Sequence, residues 1–127
     1  MANVHFTKDH EWARLDGDVA VCGITEYAQK ALGDVVYVEL PPVGKKVKQG
    51  EPTAVVESAK AASEVYAPVD GEVVAVNDVL SSDPGKVNAA AMGDGWFFKL
   101  KPSNPAQLSG LMDESVYQNH IKELLAG

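Results

Sequence analysis

Short β-type runs separated by turn residues constrain this 127-residue chain more than any other feature. Val19 to Cys22, Val35 to Leu40, Thr53 to Ser58, Glu64 to Ala67, Glu72 to Val76 and Trp96 to Lys101 are rich in β-branched or aromatic side chains. Runs of that length cannot bury an apolar face alone, and their spacing predicts a β-sandwich or small barrel. Asp16-Gly17 follows Trp12-Ala13-Arg14-Leu15 and supplies the φ > 0 position of a hairpin turn. Asp70-Gly71 is expected to do the same later, and Gly93-Asp94-Gly95 to introduce the last strand.

Two helices interrupt the pattern. Thr25 is placed to cap a helix over Glu26 to Leu32, with acidic Glu26 near the positive end of the dipole and Gly33 ready to terminate it. A second helix is expected over Glu114 to Leu125, capped by Asp113, with Val116, Tyr117, Ile121, Leu124 and Leu125 as its apolar face. Pro42-Val43-Gly44-Lys45-Lys46-Val47 also resembles Pro68-Val69-Asp70-Gly71-Glu72-Val73, a faint repeat on either side of Lys60. It would place Lys60 near a pseudo-symmetric junction.

A chain of this length and 46% apolar content reads as one domain over 1–127, with enough core to need no staples. The single cysteine, Cys22, excludes an internal disulfide and reads as a small core residue. The start at Met1 lacks the regions of a signal peptide, and no apolar run approaches a membrane span, so a soluble protein of a reducing compartment is expected. A charge of −7, from 18 acidic and 11 basic residues, disfavours nucleic acid and anionic membranes as partners.

Conventional catalytic apparatus is sparse. His5, His10 and His120 are scattered and form no zinc spacing, so no metal site is expected. Ser81 and Ser82 lie in a polar stretch without a nucleophile elbow, and no glycine-rich phosphate loop occurs. What stands out is Lys60 in Glu57-Ser58-Ala59-Lys60-Ala61-Ala62-Ser63-Glu64, a run of small residues between Val55-Val56 and Val65-Tyr66. The flanks favour strand, tight turn, strand over a short helix. A lysine at a hairpin tip is a simple solvated charge in one reading. In the other, its amine holds an acyl cofactor, and the small neighbours let other proteins approach.

Ordered motifs then decide the resemblance. Thr7-Lys8-Asp9-His10-Glu11-Trp12, Gly23-Ile24-Thr25-Glu26-Tyr27-Ala28-Gln29, Leu32-Gly33-Asp34 and Leu40-Pro41 come first. The lysine segment from Val55 to Glu64, Pro68 to Val73, Val87-Asn88 and Gly93-Asp94-Gly95-Trp96 follow. From about Thr7 to Pro102 the chain resembles the H-protein family of the glycine cleavage system.

The resemblance implies a hammerhead-like, barrel-sandwich hybrid of two antiparallel sheets and a lipoyl group in amide linkage to Lys60. It implies a carrier and not an enzyme. Its partners would be a pyridoxal-phosphate glycine decarboxylase, an aminomethyltransferase using tetrahydrofolate, a dihydrolipoamide dehydrogenase and a lipoylating enzyme. Glu11 and Glu64 stand where the family places acidic residues near the docked arm. His10 and Trp12 read as a packed, satisfied pair. Ala59, Gly85-Lys86 and Ala89-Ala90-Ala91-Met92 depart from the common pattern, and Met92 is expected to reshape a surface that partners or the arm contact. A chain that begins at Met1 without a presequence favours the bacterial cytoplasm, with a mature mitochondrial form as the alternative, and a monomer is expected. Other readings are an H-like lipoyl donor or relay in lipoate metabolism, and an interaction module whose Lys60 stays bare.

Overall fold

The structure, a computed structural model, describes residues 4–126, with side chains through residue 124. Its strands are β1 (Val4–Phe6), β2 (Glu11–Asp16), β3 (Val19–Ile24), β4 (Val35–Glu39), β5 (Lys46–Val47), β6 (Pro52–Ser58), β7 (Ala62–Tyr66), β8 (Gly71–Val76) and β9 (Phe98–Pro102). Helix α1 (Glu26–Leu32) joins β3 to β4, the one-turn helices α2 (Val79–Ser82) and α3 (Lys86–Ala89) separate β8 from β9, and α4 (Glu114–Ala126) ends the chain. A 3-10 segment, Pro105–Gly110, precedes α4.

Two antiparallel sheets form a mostly β sandwich, as expected: a six-stranded sheet ordered β1-β2-β3-β9-β8-β5 and a three-stranded sheet ordered β4-β6-β7. Val35, Val38, Val56 and Val65 from the smaller sheet meet Cys22, Ile24, Val73, Phe98 and Leu100 from the larger in one buried cluster. Removal of these side chains from water is the main force holding the sheets together. A second cluster of Phe6, Trp12, Val21 and Tyr117 lies on the other face of the larger sheet. Strand β3 is therefore covered on both faces, which explains its unbroken apolar run.

Trp12 pairs with Gly23 across β2 and β3 and donates its indole N–H to the Ala91 carbonyl at 3.0 Å. A Cβ on Gly23 would sit 2.9 Å from Trp12 Nε1, so the close approach of the ring requires glycine there. Trp12 and His10 are each satisfied, yet they do not form a pair with one another. The indole lies in the second cluster, while the imidazole of His10 faces Tyr27 and Tyr117.

Gly17 has φ 67° in the β2–β3 turn, as expected, but Gly71 does not take a positive φ. Gly71 instead starts β8, where a Cβ would lie 2.6 Å from the carbonyl oxygen of Lys101. Its partner in the sequence, Asp70, accepts a hydrogen bond from the Gln49 N–H at 2.7 Å. The dipeptide there reflects a close strand approach and not a hairpin turn.

The faint repeat has a structural counterpart: Lys46 pairs with Glu72 and Val47 with Gly71, so the two segments lie antiparallel against each other. They join the base of the β6–β7 hairpin, where Pro52 faces Tyr66. Lys60 is at the opposite end, and the expected proximity of Lys60 to that junction does not hold. Ser81 and Ser82 belong to α2, which like α3 is absent from the sequence reading. Single-turn helices leave no periodic signal to detect.

Asp113 caps helix α4, its Oδ1 accepting from the Val116 N–H at 2.9 Å. Only part of its expected apolar face is used. Tyr117 is buried and Ile121 packs on the second cluster, whereas Val116 and Leu124 are exposed. The Leu125 side chain falls outside the described residues. The helix docks through its first two turns, with the Tyr117 ring stacked on Phe6 at 4.5 Å.

Candidate functional site: an exposed lysine beside an acidic groove

The β6–β7 hairpin closes through Ser58-Ala59-Lys60-Ala61. The Ser58 N–H donates to the Ala61 carbonyl at 2.8 Å. The Ser58 hydroxyl accepts from the N–H groups of Lys60 and Ala61, at 3.3 and 3.1 Å, and donates to the Ala61 carbonyl at 3.2 Å. One serine thus satisfies the polar groups of the tip from within, as serine does in turns. Strand β7 begins at Ala62, two residues earlier than the sequence suggests, because this closure is so tight.

Ala59, Lys60, Ala61, Ala62 and Ser63 are all exposed. Among the described residues Lys60 makes no ion pair; the pair that does form is Lys45 with Glu51 at 3.7 Å. The Lys60 side chain lies over the end of α1, its Cε 3.4 Å from the position a Cβ on Gly33 would occupy. Gly33, at φ 85°, terminates α1 and donates its N–H to Gln29 O at 3.0 Å, while Thr25 caps the start by accepting from the Ala28 N–H at 3.3 Å.

A residue that sequence reasoning left without a role secures this platform. Asn88 of α3 donates to the Gly33 carbonyl and to Gln29 Oε1, both at 2.9 Å, and accepts from the Val35 N–H at 2.8 Å. One amide side chain therefore satisfies the end of α1 and the start of β4 together. The Val87-Asn88 motif was the only sequence sign of it.

A groove of about 210 Å3 runs between α1 and β7. Tyr27, Ala28, Ala31 and Leu32 form its α1 wall, and Ser63, Glu64 and Val65 its β7 wall. His10 and Glu11 close it from the start of β2. Leu32 of this wall directly precedes Gly33, the glycine on which Lys60 rests, so Lys60 touches the residue next to the groove's α1 wall. The structure thus brings Glu11 and Glu64 to one groove.

The two carboxyl groups differ in environment. Glu64 is exposed. Glu11 is buried; its Oε1 accepts from the Thr7 hydroxyl at 2.6 Å and its Oε2 from the Tyr66 N–H at 3.1 Å. Burial pushes its pKa up to about 7, against the downward pull of the Thr7 and Tyr66 hydrogen bonds, and nearby Asp9 adds to the rise. Such a group passes between neutral and charged forms near neutrality, and an arriving cation would favour the charged form.

His10 and His120, remote in sequence, have ring centroids 5.7 Å apart. His10 Nδ1 lies 2.8 Å from the Tyr117 hydroxyl, which shares a second hydrogen bond of 2.6 Å with Thr25. Burial, then the neighbouring His120, lowers the His10 pKa, with Asp9 opposing. His10 also has φ 71°, a left-handed conformation uncommon for a side-chain-bearing residue, in the turn that presents Glu11. Among the described residues no cluster of three or more His, Cys, Asp and Glu could hold a metal ion. Cys22 is fully buried, and burial raises its thiol pKa strongly, as a core role requires.

Met92 lines a different cavity, of about 670 Å3, between α1 and α4 with Phe6, Tyr27, Lys30 and Ile121. That cavity is not lined by Lys60, Glu11 or Glu64. The departure at Met92 therefore changes the far side of α1.

Comparison with known proteins fits this arrangement. The family model for the glycine cleavage H-protein matches residues 4–124. The glycine cleavage system H protein of Xanthobacter autotrophicus is 59% identical over 124 residues, covering 98% of this chain and 99% of that protein. That of Parvibaculum lavamentivorans is 56% identical over 124 residues, with the same coverage. A crystal structure of a glycine cleavage system H protein from Mycobacterium marinum superposes with a TM-score of 0.88 at 34% identity, covering 96% of this chain and 98% of that one. With most of its length matched by the family model, by sequence relatives and by a solved structure, this chain belongs to the glycine cleavage H-protein family.

Proposed function

We propose that residues 1–127 act as one non-catalytic carrier whose Lys60 bears a lipoyl group in amide linkage. In this reading the carrier serves a pyridoxal-phosphate glycine decarboxylase, a tetrahydrofolate-dependent aminomethyltransferase and a dihydrolipoamide dehydrogenase in turn. The observation behind it is the setting of Lys60: an exposed amine with small neighbours, on a tip closed internally by Ser58, near a groove lined by the carboxyl groups of Asp9, Glu11 and Glu64.

The residues present fit an amide-linked arm. Acylation removes the ammonium charge, so nothing opposes laying the extended side chain against protein. Ala28, Ala31 and Leu32 give the groove an apolar wall, and Glu11 and Glu64 line it as well. When bound, a lipoyl group supplies a dithiol–disulfide couple that takes up and gives off the one-carbon fragment of glycine. Ser58 and Asn88 hold the tip and its platform, so the reach of the arm starts from a fixed point. Glu11, poised near neutrality, would ionise to receive a cationic group, and Glu64 would add a second charge. The relatives are bacterial, which supports the bacterial cytoplasm as the site of action.

The test is the intact mass of the protein purified from its own cells, with fragmentation to place the added group. A lipoyl-sized increment on Lys60, absent from Lys60→Arg, is the expected result. A bare Lys60 in cells that lipoylate other proteins, or a biotin-sized increment, would refute the reading.

A further inference from the structure

The register of the three-stranded sheet contains an irregularity beside Lys60. Val35 pairs with Ser58 and Tyr37 with Glu57, leaving Val36 as an extra residue in β4. Such a bulge re-aims side chains. Here the alternation of β4 is broken so that Val35 and Val38 point into the core while Val36 and Tyr37, 57% and 48% exposed, both face outward. Across the same outer face, Tyr37 stands opposite Glu57, and Glu39 opposite Val55, which in turn faces Glu64. None of these residues belongs to either buried cluster. The face is thus a tyrosine–valine pair fringed by carboxylates, with Asp34 exposed at its upper end.

The start of β4 adjoins the lysine tip, because Val35 pairs with Ser58 and the Lys60 Cε rests over Gly33, two residues before β4 begins. The other flank of the tip, Ala61 to Ser63, offers no large apolar group. Proteins served by a long arm can sit at a distance from the tip. An enzyme that acts on the bare amine cannot, since a lysine has only a four-carbon stem. It must cover the tip and whatever adjoins it.

We infer that the bulged face of β4, centred on Val36 and Tyr37, is the docking surface for the enzyme that acylates Lys60. The inference rests on the lipoyl-carrier reading above. The partner it fits has an apolar socket for the tyrosine and a basic rim for Glu39 and Glu57. Tyrosine is a frequent anchor at interface centres, and the acidic fringe would speed association and set orientation. In the reaction the Lys60 Nζ attacks the carbonyl of an activated acyl donor, an acyl adenylate or thioester. The C–N bond forms, the C–O or C–S bond breaks with departure of the phosphate or thiolate, and the ammonium loses two protons to base and solvent.

The experiment measures initial rates of Lys60 modification by intact mass, using the protein's own lipoate-attaching enzyme with lipoate, ATP and Mg2+. Val36→Thr/Tyr37→Thr keeps β propensity and is expected to lower kcat/KM at least tenfold, mainly through KM. Glu39→Gln/Glu57→Gln is expected to lower it several-fold and to flatten its dependence on salt. Val74→Thr, which removes an exposed valine from the other sheet, serves as the control and should react at the wild-type rate. Urea unfolding of each variant verifies that it is folded. Wild-type rates for the Val36→Thr/Tyr37→Thr protein, or an equal loss in Val74→Thr, would overturn the docking surface and leave the carrier reading intact. Failure of the wild-type chain to be modified at all would remove the carrier reading itself.

Discussion

The Tyr66 backbone N–H donates to Glu11 Oε2 at 3.1 Å, tying the first residue of β2 to the last residue of β7. One end of the acidic groove is therefore also a clasp between the two sheets. Structure and chemistry share a single carboxyl group.

That sharing gives a pH dependence. The Glu11 pKa is raised in the folded protein, from 4.5 to about 7, so the folded state binds the proton more tightly than the unfolded chain. The stability it confers is fully present below about pH 4.5 and is lost as pH rises through about 7. At 1.36 kcal/mol per unit the loss amounts to about 3 kcal/mol at most. His10, whose pKa is lowered on folding, works the other way over the same window, so the decline is read as the stability difference between the wild type and Glu11→Gln in urea unfolding across pH 4.5–8. A difference that grows in favour of the wild type as pH rises would contradict the assignment.

Gly71→Ala places a Cβ 2.6 Å from the Lys101 carbonyl, and backbone cannot swing aside as a side chain can. The expected loss is about 2 kcal/mol, in the range for overpacking. Chemical denaturation measures it. Gly17→Ala meets no steric neighbour and differs only in its positive φ, so its cost should be smaller, about 1 kcal/mol.

Tyr117→Phe keeps the ring stacked on Phe6 and removes the hydroxyl shared by Thr25 and His10. The buried Thr25 hydroxyl and the half-buried His10 ring then each lose a partner, for a cost of about 2 kcal/mol. Amide hydrogen exchange should accelerate in α4 and in the first turn of α1, and little in β8 and β9. Uniform acceleration would argue that the hydroxyl has no local role.

Cys22 is enclosed, and its thiol is held in the neutral form by burial. N-ethylmaleimide should label it only at the rate at which the fold opens. Labelling should follow urea concentration in parallel with global unfolding, and rapid labelling without denaturant would exclude the placement.

Much of the architecture was visible in local chemistry. The β-branched runs became strands, Thr25 and Gly33 bound α1, and Asp113 starts α4, because propensity and capping act over three or four residues. Lys60 stood out by its small neighbours. Asp70-Gly71 misled for the opposite reason: a glycine needed by a neighbouring strand reads the same as one needed for a turn. Val116 and Leu124 misled because a helical periodicity does not say how much of the stripe finds a surface to cover.

By itself the sequence determined which segments extend, the β2–β3 turn at Asp16-Gly17 and which amine stands at a hairpin tip, since each depends on backbone preferences and short-range hydrogen bonds. Tertiary structure alone decided that Asn88 fastens the platform under Lys60, that Glu11 and Glu64 share a groove, that His10 meets His120, and that a bulge turns Val36 and Tyr37 outward together. These relations join residues dozens of positions apart or depend on strand register. Register and burial emerge only when the two sheets close on a common core.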